Sequence, residues 1–408
     1  MISPSVPRRA VGAALLLALC VGCDDDDAVA PDPCVTVGAA LDSDSGTASG
    51  RWLLATRAMI ARRDGSPLSI VRTLAYVHVA EHDAAVAAGR TGGAAAPSVV
   101  GAISGAAAGV LPALYPAESL TVASRLDDEA RRAAAVDARC AARFTAGVAL
   151  GRATAATILA RAATDGSTLA WAGTIPTGPG RWLNAPAPAQ PLAPRFAEVR
   201  AWHLARNDEF RPAAPPAFGS AAWTAALAEV RAASAGRTPE QLRLAQRWGV
   251  TAGTAGPPGI WTEIAMAQVA AARLDELETT RTLAMVSMAM MDAAIACWDA
   301  KYTWWTIRPW QEDPAITTPV GRPNFPAFPS LHSCVSAAAG GVLGARFPAS
   351  APALQAQVDS AGVSRIFAGL HYRFDVTAGQ AIGAAVAARV YARRPLDVSP
   401  ILAPALVR

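Results

Sequence analysis

Lysine is all but missing from this chain of 408 residues: of its 36 basic side chains, every one is arginine except Lys301. Arginine bias is the ordinary mark of GC-rich coding, so most arginines carry no message. A lone lysine gains meaning only if a motif independently selects its position, because a compact ammonium and a planar guanidinium are not interchangeable. Charge is scarce too, at 17% against 52% apolar residues with a mean hydropathy of +0.25, which argues against intrinsic disorder. The formal net charge of +4 is small and evenly spread, and supplies no footprint for a nucleic-acid partner. The 31 Pro and 32 Gly follow no period, which rules out a fibrous chain and a long coiled coil. Beyond the N-terminus there is no run of about eighteen large apolar residues; the segment Ser98 to Tyr115 is mostly Ala, Gly and Val and reads as a buried helix. Phosphate-cradling GxxxxGKS/T, GxGxxG after a strand and GxSxG are all absent, so nucleotide and serine-hydrolase classes are unsupported.

The first residues read as an export signal. Arg8 and Arg9 precede an apolar stretch from Ala10 to Val21, and Leu19-Cys20-Val21-Gly22-Cys23 resembles a lipobox in which Cys23 would be acylated. Residues 1–22 are thus expected to be a lipoprotein signal peptide and 23–49 an acidic linker, with Asp24 to Asp27 as hydrated charge. The mature chain would sit outside the cytoplasm, tethered to the membrane by an N-terminal lipid anchor. Of the six Cys, Cys140, Cys297 and Cys334 lie in helical patterns and are expected to be small buried apolar groups, and the disulfide pattern is open. No Cys/His cluster has zinc-finger spacing.

Apolar residues recur every three or four positions through most of the remaining sequence, including Ile70–Ala88, Ala138–Ala163, Pro239–Trp248, Glu276–Trp298, Leu331–Phe347 and Thr377–Ala392. Strand-like alternation is nearly absent. The expectation is an all-α protein of two stacked helical bundles, with an N-terminal region over 50–275 and a C-terminal region over 276–408. Gly166 to Pro215 is a long Pro- and Gly-rich connection carrying Trp171, Trp182, Phe196, Trp202 and Phe210, and is expected to pack on the helices.

The chemistry concentrates after Asp292. Lys301 is followed by Arg308-Pro309, then Pro329-Ser330-Leu331-His332-Ser333, then Ser364-Arg365, His371 and Asp375. Lys301, Arg308 and Arg365 offer three positive charges, and Ser330 with the Leu331 amide offers donors at a helix start. Such a set can cradle a phosphate-like oxyanion. His371, one helical turn from Asp375, has a carboxylate to fix its tautomer, and His332 can exchange a proton with the anion. Taken singly, Arg-Pro, Ser-x-His and His-x-x-x-Asp are commonplace structural pairs. Their joint order, enclosing the only lysine, reverses that reading.

These three blocks resemble the signature of the type 2 phosphatidic acid phosphatase and vanadium-dependent haloperoxidase superfamily. The stretches RTPEQLRLAQRW, GIWTEIA and DAAIACWDAKYTWW are similar to bacterial soluble haloperoxidase-like members, so the resemblance covers residues 50–395. It implies that Lys301, Arg308, Ser330, the Leu331 amide and Arg365 hold the oxygens of vanadate. It implies that His371 ligates vanadium, oriented by Asp375, with His332 as the acid–base group. Trp298 and Phe325 resemble aromatic positions on the halide side of chloroperoxidase-like members. In one respect the chain departs from the family, which has Gly where Leu331 stands, and the added bulk narrows access for peroxide or halide. The implied activity is halide oxidation by hydrogen peroxide with vanadate as cofactor. The alternative is an acid phosphatase in which His371 attacks a phosphomonoester and His332 protonates the leaving alcohol. A third, non-catalytic reading, a lipid-tethered oxyanion-binding or scaffold protein, would not need both histidines. A homo-oligomer is compatible with all three readings.

His78 and His82 lie one turn apart on a predicted helix without a third metal ligand and read as a buried structural pair. His203, in the Pro-rich connection, reads as an ordinary packed histidine.

Overall fold

In the computed structural model, the residues described are Cys34 and 46–393, apart from 64, 94, 185–189 and 250–252. The signal-like segment and Cys23 lie outside them. Thirteen α-helices and no strand occur among the described residues: α1 (Ala48–Arg63), α2 (Pro67–Gly89), α3 (Val99–Leu114), α4 (Ser119–Val136), α5 (Ala138–Ala163), α6 (Ala221–Ala235), α7 (Pro239–Arg247), α8 (Gly256–Ala272), α9 (Glu276–Trp304), α10 (Pro309–Glu312), α11 (Leu331–Arg346), α12 (Ala351–Phe367) and α13 (Arg373–Ala392). The all-α expectation holds.

The axis of the fold is α9. It is long and apolar enough to cross a membrane, yet 94% of its most apolar window is buried in protein, as expected of a core helix. It packs against α2 and α3 on the N-terminal side and against α8, α11 and α13 on the other. One hydrophobic core therefore runs from Trp52 and Leu74 through Met290 and Trp298 to Leu343 and Val386. Small residues bring helices close. In α3 and α5, Gly101 and Gly147 lie against the partner backbone: a Cβ at Gly147 would fall 2.5 Å from the Ser98 carbonyl oxygen. The Ala- and Gly-rich segment after Ser98 is thus a buried helix, as its composition predicts.

The long connection packs on the helices as expected, with Trp182, Phe196 and Trp202 buried. It is pinned by Asp292 on α9, whose carboxylate accepts from the backbone amides of Trp202 at 2.8 Å and His203 at 2.7 Å. Burial pushes that carboxyl up to about 6 despite the amide donors. Asp292 is therefore an anchor for the connection.

One cysteine expectation fails. Cys140 is not a buried apolar thiol; it forms a disulfide with Cys34 across a Cα–Cα distance of 5.4 Å. Helical periodicity around Cys140 reports that it faces inward, but not that a distant segment supplies a partner. Cys297 and Cys334 are buried free thiols, as expected.

Candidate active site

Four elements deliver the predicted residues to one place. Lys301 comes from the last turn of α9, Arg308 from the N-cap of α10, Ser330 from the N-cap of α11 and Arg365 from the last turn of α12. All four side chains are essentially inaccessible to solvent. The α11 start and α13 are locked together by the Ser330 amide, which donates to the Asp375 carbonyl at 3.0 Å.

The histidine–carboxylate pair differs from expectation in one respect. His371 and Asp375 do not share a helix: α13 begins at Arg373, so His371 precedes it and Asp375 occupies the third helical position. The reason is capping. Asp375 Oδ2 accepts from the Tyr372 amide at 3.1 Å, closing the helix start behind the histidine. The same oxygen accepts from His371 Nδ1 at 2.9 Å. That bond fixes the proton on Nδ1 and leaves the Nε2 lone pair exposed to the site, where Arg308 Nη1 meets it at 2.9 Å. Burial first, then the charges of Arg308 and Lys301, hold His371 well below the usual histidine range, so the ring is neutral.

The cations have few counter-charges. Lys301 Nζ donates to the carbonyls of Pro326 at 2.9 Å and Ala327 at 2.8 Å, and also to that of Pro329. Arg308 donates to the Phe325 and Leu370 carbonyls, each at 3.0 Å, and its buried Nη2 has no partner among the described residues. Arg365 donates to the Ser364 hydroxyl at 2.9 Å and the Ala245 carbonyl at 2.6 Å. None of these partners is a carboxylate. Burial pulls the three down to about 8 for Lys301, about 10 for Arg308 and about 9 for Arg365. Desolvating three cations costs several kcal/mol each unless an anion or a dense set of dipoles answers them. The orphaned Arg308 donor and the cation set fit a compact, multiply charged oxyanion such as vanadate or phosphate.

His332 is placed at the edge of this set. Its Nε2 lies 2.8 Å from the Trp248 carbonyl, which can only accept, so Nε2 carries the proton and Nδ1 is the basic nitrogen. Burial, then the charge of Arg365, keep this ring neutral as well. Leu331 opens α11 and is buried. Trp298 and Phe325 pack with ring centroids 4.9 Å apart and planes tilted by 50°, and both lie near cations: Lys301 Nζ is 5.8 Å from the Trp298 ring centroid and 5.2 Å from that of Phe325, while Arg308 is 4.9 Å from the latter.

Sequence reasoning missed the backbone acceptors. The carbonyls of Pro326, Ala327 and Pro329 hold Lys301, and those of Ala245 and Trp248 hold Arg365 and His332. The one available signal was NFPAFPS: its two prolines lack an N–H, so the segment has few donors of its own to answer its carbonyls. His78 and His82 lie elsewhere, bonded through Nδ1 to Ser287 at 2.7 Å and Thr280 at 3.3 Å, and both are buried and neutral. His203 is buried, and both of its ring nitrogens lack partners among the described residues.

Comparison with known proteins agrees with this geometry. Residues 282–397, which contain every charged residue of the site, match the PAP2 superfamily model. No curated protein matches the chain. Among solved structures, the chain is similar to one described as the first bacterial vanadium-dependent iodoperoxidase, with a TM-score of 0.71 at 22% identity over 88% of this chain and 97% of that one. It is also similar to a bacterial vanadium-dependent chloroperoxidase in its holo form, with a TM-score of 0.62 at 15% identity over 85% of this chain and 97% of that one. The apo form of a bacterial vanadium-dependent chloroperoxidase gives 0.60 at 14%, over 80% and 93%. Over residues 282–397 the chain thus resembles the PAP2 superfamily, within an all-α fold shared with the bacterial vanadium-dependent haloperoxidases.

Proposed function

We propose that this protein is a vanadate-dependent, haloperoxidase-like enzyme that uses hydrogen peroxide to oxidise halide. The observation that carries the reading is the state of His371: its Nδ1 proton is held by Asp375, its Nε2 meets Arg308 Nη1, and the buried charges of Lys301 and Arg365 also act on the ring. A histidine held this way is prepared to bond the central atom of an oxyanion whose oxygens those cations neutralise. Lys301, Arg308 and Arg365, with Ser330 and the Leu331 amide, would hold the oxygens. Bound vanadate would supply a Lewis-acidic V(V) centre that activates peroxide toward halide. His332 would move a proton at Nδ1 while the Trp248 carbonyl retains the Nε2 proton. Trp298 and Phe325 form an apolar, cation-topped wall suited to a polarisable halide. Export and lipid anchoring through Cys23 complete the proposal and set the reaction outside the cytoplasm.

A second reading has its own support in the match to the PAP2 superfamily and in Leu331, whose bulk narrows the helix start where the family has Gly. There His371 Nε2 attacks the phosphorus of a phosphomonoester, and His332 protonates the departing alcohol. One experiment separates the two. Purified protein is assayed for peroxide-dependent iodide and bromide oxidation and for p-nitrophenyl phosphate hydrolysis, each with and without added orthovanadate. Vanadate-dependent halide oxidation is expected; steady ester hydrolysis that vanadate inhibits, with no oxidised halide, would replace the first reading with the second.

A further inference from the structure

Behind the site lies a small apolar cluster, separate from the main core, that includes Trp223 of α6, Ile307, Ala327 and Tyr372, with Phe374 packed against it. Three of its members adjoin the site directly. Ile307 precedes Arg308, Ala327 lends its carbonyl to Lys301 at 2.8 Å, and Tyr372 follows His371. The rings pack closely, with centroids 4.9 Å apart for Trp223 and Tyr372, and 4.8 Å apart for the stacked Tyr372 and Phe374. The carboxylate of Glu312, at the end of α10, closes this cluster. It accepts from the Tyr372 hydroxyl at 2.5 Å through Oε2, and from Trp223 Nε1 at 3.0 Å through each oxygen. The first distance is that of a charge-assisted bond. Burial, then the bond to Glu312, push the Tyr372 phenol far above its usual range, so it stays a donor.

The turn that carries Glu312 also holds Arg308. Arg308 is the N-cap of α10; its carbonyl accepts from the amides of Gln311 at 3.0 Å and Glu312 at 3.1 Å, and its own amide donates to Gln311 Oε1 at 3.2 Å. A helix of 4 residues has little stability of its own, so its place is set by what its side chains grip. Glu312 grips Tyr372, whose amide is the donor that Asp375 Oδ2 shares with His371 Nδ1. The bond thus closes a ring of contacts through Glu312, Tyr372, His371 and Arg308, whose last link is the 2.9 Å meeting of Arg308 Nη1 with His371 Nε2.

We propose that Glu312 is a positioning residue for oxyanion binding: by holding the Tyr372 hydroxyl, it fixes how the His371 ring meets Arg308. It acts through Tyr372 and not by contact with the bound anion. The inference rests on the reading that His371 bonds an oxyanion, which the peroxidase and phosphatase readings share and in which neither Glu312 nor Tyr372 has a part. Without the bond, the α10 turn is released from the histidine block, the Tyr372 amide loosens its hold on Asp375, and His371 exchanges its Nδ1 proton for the other neutral tautomer.

The test uses the full chain, with Glu312→Gln, Glu312→Ala, Tyr372→Phe and the Glu312→Ala/Tyr372→Phe double variant. Orthovanadate affinity is measured by calorimetry well below each melting temperature. The His371 ring nitrogens are followed in the anion-free proteins by nitrogen NMR after histidine-selective labelling, with His371→Ala to assign the signal. Glu312→Ala and Tyr372→Phe are each expected to weaken affinity about tenfold, and the double variant no further, since the two side chains make one bond. Glu312→Gln keeps an acceptor for the hydroxyl and should recover most of the loss. The His371 signal should average the two tautomers in the variants that lack the bond and in no other. Additive losses, or a lower melting temperature with affinity and tautomer unchanged, would overturn the proposal and leave Glu312 a packing residue. Tyr372→Phe removes a single oxygen and carries the same comparison if Glu312→Ala does not fold. A wild type that binds no orthovanadate would sink the oxyanion reading instead, and the His371 signal then decides the role of Glu312 by itself.

Discussion

Asp375 Oδ2 is shared by two donors, His371 Nδ1 at 2.9 Å and the Tyr372 amide at 3.1 Å, so one oxygen both starts a helix and sets the tautomer of the histidine before it. Asp375→Asn should separate these roles. The amide oxygen can still cap the helix, while the charge that strengthens the imidazole is gone. Orthovanadate affinity is expected to fall about 10- to 100-fold with little change in far-ultraviolet circular dichroism. Retained affinity would remove the role given to Asp375.

Lys301→Arg tests whether the lone lysine is a requirement. Its ammonium reaches three carbonyls that converge from one short segment, a geometry a planar fork cannot reproduce. Halide oxidation is expected to drop by about two orders of magnitude, in line with removal of an electrostatic group from an active site. A neutral result would return the lysine count to codon usage.

The same residue sets a pH dependence. Lys301 is held down from 10.5 to about 8 chiefly by burial, so above pH 8 the folded chain releases this proton while the unfolded chain retains it. The unfolded state then binds more protons, and stability rises with pH across that window. Relative to Lys301→Met, the oxyanion-free wild type should gain stability between pH 8 and 10.5, by about 3 kcal/mol in full. Urea denaturation of both proteins at stepped pH measures it; parallel curves would contradict the assignment. Oxyanion affinity should move the opposite way, falling as the ammonium is lost.

Leu331→Gly replaces a buried leucine at the first position of α11 with the residue the superfamily usually carries. A glycine there costs helix propensity and buried apolar surface, together about 2 to 3 kcal/mol. Wider access should raise kcat/KM for halide or peroxide while the melting temperature falls. A lower kcat/KM would mean that the leucine supports the site rather than restricting it.

Much of this was legible in the chain. Helices announce themselves through apolar spacing, and the site residues through three blocks whose order is improbable by chance. The position of His371 outside its helix was not, because His-x-x-x-Asp looks the same whether the helix begins before the histidine or after it. The partners of Lys301 and His332, and one partner of Arg365, are main-chain oxygens, and a carbonyl leaves no trace in the identity of Ala245 or Trp248. The Cys34–Cys140 pairing joins residues 106 apart in sequence, a distance at which local periodicity is silent.

Gly379 and Gly383 set how closely α13 lies on α11. A Cβ at Gly379 would sit 2.6 Å from the Ser330 carbonyl oxygen, and one at Gly383 would strike the carbonyl of Cys334. Here α13 rests on α11 main chain to main chain, so the interval between the histidine block and the serine block is gauged by peptide units rather than by side-chain size. A larger residue at either glycine would force the two blocks apart, because a main-chain carbonyl cannot swing aside as the far end of a long side chain can.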